Sequence, residues 1–160
     1  SVEELKEIRG IGLAKAAQLK AVGQLSKQLS SSEVKLKQIK SPQEVAQILI
    51  PRLGHLAQEK FEIILLNTKN KIMGIKEISR GSLNSSIVHP REVFRIAIKR
   101  SSASIILAHN HPSGDLIPSQ EDIDLTKRLV KTGEIVGIEV LDHLIIADKS
   151  YSSLKAKKLF

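Results

Sequence analysis

The first apolar positions, Val2, Leu5 and Ile8, recur at helical spacing, so the chain opens inside a helix. Arg9-Gly10-Ile11-Gly12 breaks that pattern as a turn. Leu13, Ala16, Ala17 and Leu19 then begin a second helix, expected to run to about residue 29 and weakened at Gly23. Ser30-Ser31-Ser32 and the polar residues up to Lys40 read as a linker. Ser41-Pro42-Gln43-Glu44 is a helix start, with a hydroxyl cap, proline at the first position and a glutamate placed to close a capping box. That helix carries Val45, Ile48 and Leu49, is expected to break at Pro51, and resumes towards Glu59. Residues 61–66 form a short β-branched apolar run, expected to be a buried strand. A turn at 67–70 leads to a second strand at 71–78, and Gly81 to a third at 83–88. Pro90 opens a helix with Val93, Phe94, Ala97 and Ile98 on one side, and 103–108 reads as another buried strand. Residues 109–118 form a loop, and Ser119 caps a helix expected to stop at Gly133. Residues 138–141 and 143–147 finish the sheet, with 148–151 as a turn. The order predicts an α/β domain over 41–160, a mixed sheet flanked by helices, after a small all-helical segment 1–29 and a linker 30–40.

Composition narrows the chemistry. A chain of 160 residues suits one domain of about 100–120 residues plus a small appendage. No apolar run approaches the ~18–20 residues of a membrane span and no signal-peptide pattern opens the chain, so no membrane partner and a cytoplasmic address are expected. The chain begins at Ser1 without an initiator Met, as a fragment would. There is no cysteine, which excludes disulfides, thiol nucleophiles, thiolate zinc and iron–sulfur clusters. Any metal must therefore rest on histidine and carboxylate. The net charge of +8 is densest at the start: residues 1–56 hold nine basic and five acidic side chains, and residues 57–160 sixteen and twelve. That excess favours a polyanionic partner. Three Phe, one Tyr and no Trp argue against base stacking on single strands and leave duplex backbone contacts open.

His109-Asn110-His111 stands where a buried strand meets a loop. Residues i and i+2 of an extended segment point to one side, so both imidazoles can face one ion. Asp122 follows, three residues beyond the cap Ser119, where a loop with Pro112, Gly114 and Pro118 can fold the helix start back to the strand end. Two His and one Asp make three zinc ligands with a position left for water, as in catalytic rather than structural sites. The bland alternative is a pair of solvated loop histidines beside an ordinary capped helix. With ordinary residue usage the full pattern arises by chance on the order of 10⁻³ or less per chain of this size.

His109-x-His111-x7-Ser119-x2-Asp122 matches the motif of JAMM (MPN+) zinc metalloproteases. The text around it, Ser79-Arg80-Gly81-Ser82-Leu83-Asn84, Val88-His89-Pro90-Arg91-Glu92-Val93-Phe94, Ala108-His109-Asn110-His111-Pro112-Ser113-Gly114 and Leu141-Asp142-His143-Leu144-Ile145, resembles the bacterial RadC family. The resemblance implies a JAMM/MPN-like, cytidine-deaminase-like fold and one Zn2+ per chain. It also implies a catalytic glutamate just before a core strand. Glu59 fits that position, with Glu62, expected to face outward, and Glu77 as rivals. In such a site Glu59 moves the proton of the attacking water and Ser119 donates to the oxyanion. Asn110 is expected to shape its own loop, Asp142 or a carbonyl to orient a ligand histidine, with a structural role for Asp142 as the equal alternative, and His55, His89 and His143 to have no catalytic part.

Arg9-Gly10-Ile11-Gly12-Leu13-Ala14-Lys15-Ala16 resembles a helix-hairpin-helix, an element that holds duplex DNA without sequence preference. Gly10 and Gly12 would let the backbone approach a phosphate, amides at the second helix would donate to it, and Lys15 or Lys20 would add charge. A tight turn between helices is the plainer account of the same glycines. Two functions follow. One is a zinc metallohydrolase acting on an unidentified protein or peptide, at peptide or isopeptide bonds, with a weak DNA-binding appendage. The other is a DNA-repair-associated binding or scaffold protein with a non-catalytic metal site. A zinc nucleobase deaminase would need cysteine ligands, and a two-metal nuclease more carboxylates.

Overall fold

The computed structural model describes residues 2–34, 38–81 and 88–160, apart from the side chains of 26–34. It divides into two compact units, Ser1–Lys35 and Leu36–Phe160. In the first, α1 (Val2–Lys6) and α2 (Leu13–Val34) flank a turn in which Gly10 takes φ 91°. A side chain there would be strained, so glycine is required. The backbone of α2 runs on through Ser30–Ser31–Ser32. Of the expected linker 30–40, residues 30–34 are therefore helical, and Ile39 is tied to the second unit by its N–H to the Asn70 carbonyl (2.8 Å).

Among the described residues, the second unit is built on a five-stranded sheet in the order β2-β1-β3-β4-β5. Its strands are β1 (Lys60–Leu66), β2 (Ile72–Arg80), β3 (Ser104–Asn110), β4 (Glu139–Ala147) and β5 (Ser150–Ser153). Of these strands, β3 and β4 run parallel and the other neighbours antiparallel, so the sheet is mixed. The helices are α3 (Pro42–Leu53), α4 (Pro90–Lys99) and α5 (Gln120–Val136). Phe61, Ile63 and Leu65 of β1 and Ile105 and Leu107 of β3 form one core with Val93, Phe94 and Ala97 of α4 and Leu125 and Leu129 of α5. Across the sheet, α3 packs on β3, β4 and β5 with Val45, Ala46, Leu49 and Leu53 buried. Both faces of β3 are covered, which is why its residues 105–108 are an unbroken apolar run. Each fully buried aliphatic side chain contributes roughly 1.5–3 kcal/mol.

Several expectations change. Ser41 caps α3 as predicted, but the helix passes through Pro51 and ends at Leu53 without resuming. Proline so close to the end removes a single hydrogen bond, and buried Leu53 holds the final turn against the core. Nor does Gly133 stop α5, which continues to Val136 and closes at Gly137 in the left-handed conformation (φ 72°). Gly133 is a close-approach site: a Cβ there would lie 2.5 Å from the Ile138 carbonyl oxygen and 3.3 Å from the Phe94 ring. The strands expected at 138–141 and 143–147 are one strand, β4, with an extra residue. Ile105 pairs with Val140 and Ile106 with Asp142, so Leu141 is a bulge. Of the turn expected at 148–151, Asp148 takes φ 47°, while 150 and 151 belong to β5. The third strand expected at 83–88 lies outside the described residues except for Val88, which is buried and belongs to no strand.

Candidate metal centre

β3 delivers His109 and, just past its end, His111, whose N–H bonds the Ile146 carbonyl (2.9 Å) and continues the pairing with β4. Asp122 comes from the first turn of α5. Ser119 accepts from the Asp122 N–H (3.1 Å), and the Asp122 carboxylate accepts from the Ser119 N–H (2.8 Å). This capping box is what places the carboxylate. The Ser119 hydroxyl also donates to Asp122 Oδ2 (2.7 Å), which leaves Oδ1 turned to His109 Nε2 at 3.2 Å. His111 Nε2 stands 3.5 Å from Oδ2. One ligand atom from each of His109, His111 and Asp122 lies within 4.8 Å of the others, a group able to hold a metal ion. The three predicted ligands therefore converge. Lys15, in the other unit, donates to the Gly10 carbonyl at 3.2 Å.

Hydrogen-bond direction is set by groups that can only accept. His111 Nδ1 lies 2.9 Å from the Asp115 carbonyl and so carries the proton, leaving its Nε2 with a lone pair. Thr126 Oγ1 lies 2.6 Å from the Asp122 carbonyl, one helical turn back, and donates to it. The same oxygen, 2.6 Å from His143 Nδ1, then accepts, so His143 Nε2 holds a lone pair. That nitrogen is 2.8 Å from His109 Nδ1, which donates, and His109 Nε2 is left with a lone pair as well. Two imidazole lone pairs thus face each other at 2.9 Å beside a carboxylate. Such a cluster is repulsive until a cation or a proton enters it, and the donor set of two imidazoles and a carboxylate suits zinc.

Burial alone hinders ionisation of Asp122, yet His109, His111 and Ser119 together outweigh it and hold the carboxyl far below the usual carboxylate range. The hydrogen bond to Asp122 raises the pKa of His111 against its partial burial, helped by the Asp115 carbonyl and the charges of Asp122 and Glu59. Burial pushes His143 well below the ordinary imidazole value, so it stays neutral.

Glu59 immediately precedes β1, whose Phe61 pairs with His109, and its charge is felt at His111. Asn110 explains how that segment is held. Its side chain accepts from the Lys60 N–H (2.8 Å) and donates to the carbonyls of Leu56 (3.3 Å) and Gln58 (3.1 Å). Asn110 therefore fixes residues 56–60 rather than its own loop. The rivals of Glu59 serve elsewhere. Glu62, expected to face outward, is buried on the opposite side of β1 from Phe61, with both oxygens bonded by Arg52 and a further bond from Lys60 at 2.7 Å. Glu77 is held by Arg80 and Lys60, and the Arg80 hydrogen bond lowers its pKa.

His143, given no part by the sequence reading, lies fully buried between His109 and Thr126. Asp142 does not orient a ligand. It accepts from Ser153 Oγ (2.7 Å) and from the N–H groups of His143 (2.7 Å) and Lys155 (3.2 Å), which joins β4 to the segment after β5. A histidine next to a strand-end aspartate carries no local signal of either role. Only the pairing of β4 with β3 supplies one.

Comparison with known proteins agrees with this architecture. A UPF0758 protein of Alkaliphilus metalliredigens is 56% identical over 99% of this chain and 68% of its own length. Those of Moorella thermoacetica and Alkaliphilus oremlandii are each 54% identical over 99% of the chain and 69% of their own length. Residues 39–159, which carry the whole sheet and the His109–His111–Asp122 cluster, match the RadC-like JAB domain, and the chain belongs to the RadC family.

Proposed function

We propose that this chain is a zinc-dependent metallohydrolase of the JAMM type, cleaving peptide or isopeptide bonds of a protein or peptide substrate in the cytoplasm. The observation that carries the reading is the facing pair of imidazole lone pairs beside Asp122, an arrangement that calls for a cation. His109, His111 and Asp122 would hold one zinc, each histidine through Nε2. When bound, zinc supplies a Lewis acid for a carbonyl oxygen and acidifies a water towards neutral pH. Glu59 takes the proton of the attacking water and returns it to the leaving amine as the C–N bond breaks. Ser119 Oγ turns its hydrogen from Asp122 to the oxyanion. The helical unit adds weak, sequence-independent contact with duplex DNA through Gly10, Gly12 and Lys15, supported by the positive φ of Gly10 and the local basic charge.

The test is metal analysis of protein purified without added zinc, coupled to profiling on peptide and isopeptide libraries. One zinc per chain is expected. Removing a ligand, as in His109→Ala, should strip most of it. Glu59→Gln should keep the zinc and lose hydrolysis, and Ser119→Ala should keep the zinc and slow turnover by about 10²–10³-fold. Full activity in Glu59→Gln would overturn the assignment of the base. Protein that is zinc-free and takes up none on titration would end the enzyme reading in favour of a DNA-associated scaffold.

A further inference from the structure

His143 has no local reason to be where it is. A fully buried imidazole is costly unless both nitrogens are bonded, and here they are, to partners on two other elements. From His109 the path runs to His143 on β4, to Thr126 on α5, and through the Thr126 hydroxyl to the Asp122 backbone carbonyl. It therefore begins at one member of the metal cluster and ends on the main chain of another. We infer that His143 is a positioning residue: with Thr126 it locks His109 in the Nδ1–H tautomer and ties that ligand to the helix turn that carries Asp122. The inference rests on the metal reading above for its purpose, although the tautomer is a property of the protein itself.

The direction of the path makes this physical. Thr126 can give its one proton only once, and the carbonyl 2.6 Å away takes it. His143 must then donate from Nδ1 and accept at Nε2, which fixes His109 as donor from Nδ1. Ligand histidines ordinarily give that proton to a carboxylate, a carbonyl or a water. His111 follows this habit through Asp115, on its own loop. His109 instead uses a neutral imidazole, which orients it without adding negative charge beneath the cluster. Phe61 completes the holder, stacked on the His109 ring at 6.2 Å and set edge-on to His143 at 5.5 Å.

The experiment compares wild type with His143→Phe and His143→Gln. Phenylalanine fills the space but accepts nothing. Glutamine can present Oε1 where Nε2 was. Nitrogen-15 NMR of the metal-free proteins at about pH 8, above the ordinary imidazole value, should show His109 as the Nδ1–H form in wild type and His143→Gln. In His143→Phe it should show the Nε2–H form, with the proton turned to Asp122. Zinc affinity by competition with a chelating dye should fall about 10–100-fold in His143→Phe and recover most of that loss in His143→Gln. An unchanged tautomer with unchanged affinity in His143→Phe would overturn the inference. If that variant fails to fold, Thr126→Val carries the test: the single Nδ1–H form of His143 should be lost, and its retention with full zinc affinity would overturn the inference. Wild type that binds no zinc yet shows His109 as Nδ1–H would remove the metal reading and leave the hydrogen-bond path standing.

Discussion

At His111, a carbonyl fixes one proton on the ring and a carboxylate attracts a second. Its pKa in the folded, metal-free protein lies above the ordinary 6.5. The stability it contributes is therefore complete below about pH 6.5 and is lost as pH rises through the raised value. His143 has the opposite sign: its value is depressed by burial, so its contribution is present above about pH 6.5 and fades as pH falls. His111→Gln separates the two. In a chelator, the excess melting temperature of wild type over His111→Gln should be largest near about pH 6 and shrink by about pH 8.5. A difference that widens with pH would mean that His111 is not the proton's site. With metal present the dependence inverts, because proton and metal compete for the same nitrogen.

Among the elements, α5 joins the metal cluster to the core, since Asp122, Leu125, Thr126, Leu129 and Gly133 form its buried stripe. Replacing a helical glycine by alanine ordinarily gains up to about 1 kcal/mol. At Gly133 the new Cβ would meet the Ile138 carbonyl and the Phe94 ring, so Gly133→Ala is expected to lose about 1–3 kcal/mol in denaturant unfolding. A gain would show that α5 and the start of β4 can part without cost. The helix starts were legible because capping is local: Ser41 and Ser119 each bond an amide three residues on. The end of α5 was not, because Gly133 answers to Phe94 and Ile138, which a window along the helix does not contain.

For the molecule as a whole, we propose a separate activity for each of the two units. The helical unit should bind duplex DNA weakly, with affinity falling steeply as salt rises, since each phosphate neutralised contributes about −0.9 to the logarithmic slope. Valine at Gly10 would meet a φ of 91°, which β-branched residues do not accept. Gly10→Val with Gly12→Val should therefore abolish binding in a fluorescence anisotropy titration while zinc content is unchanged. Binding that survives would move the contact to basic residues elsewhere.

The sequence by itself determined what repeats at short range: the strand-end His-x-His pair, the capped Asp122, the apolar runs of β1 and β3, and the glycine turn at 9–12. Each reports the period or cap chemistry of its own segment. The tertiary structure decided how those segments meet. The bulge at Leu141 shifts the alternation of β4 by one, so that Val140 and His143 face α5 together while Asp142 turns the other way. Paired through Leu141 without a bulge, the same sequence would turn His143 to the opposite face. Asn110 reaches back to residues 56–60, and Glu62 is buried beside Arg52. The first two depend on how elements far apart in the chain pair, and Glu62 on which face of β1 it takes, because a one-residue slip sends a side chain to the opposite face of a sheet.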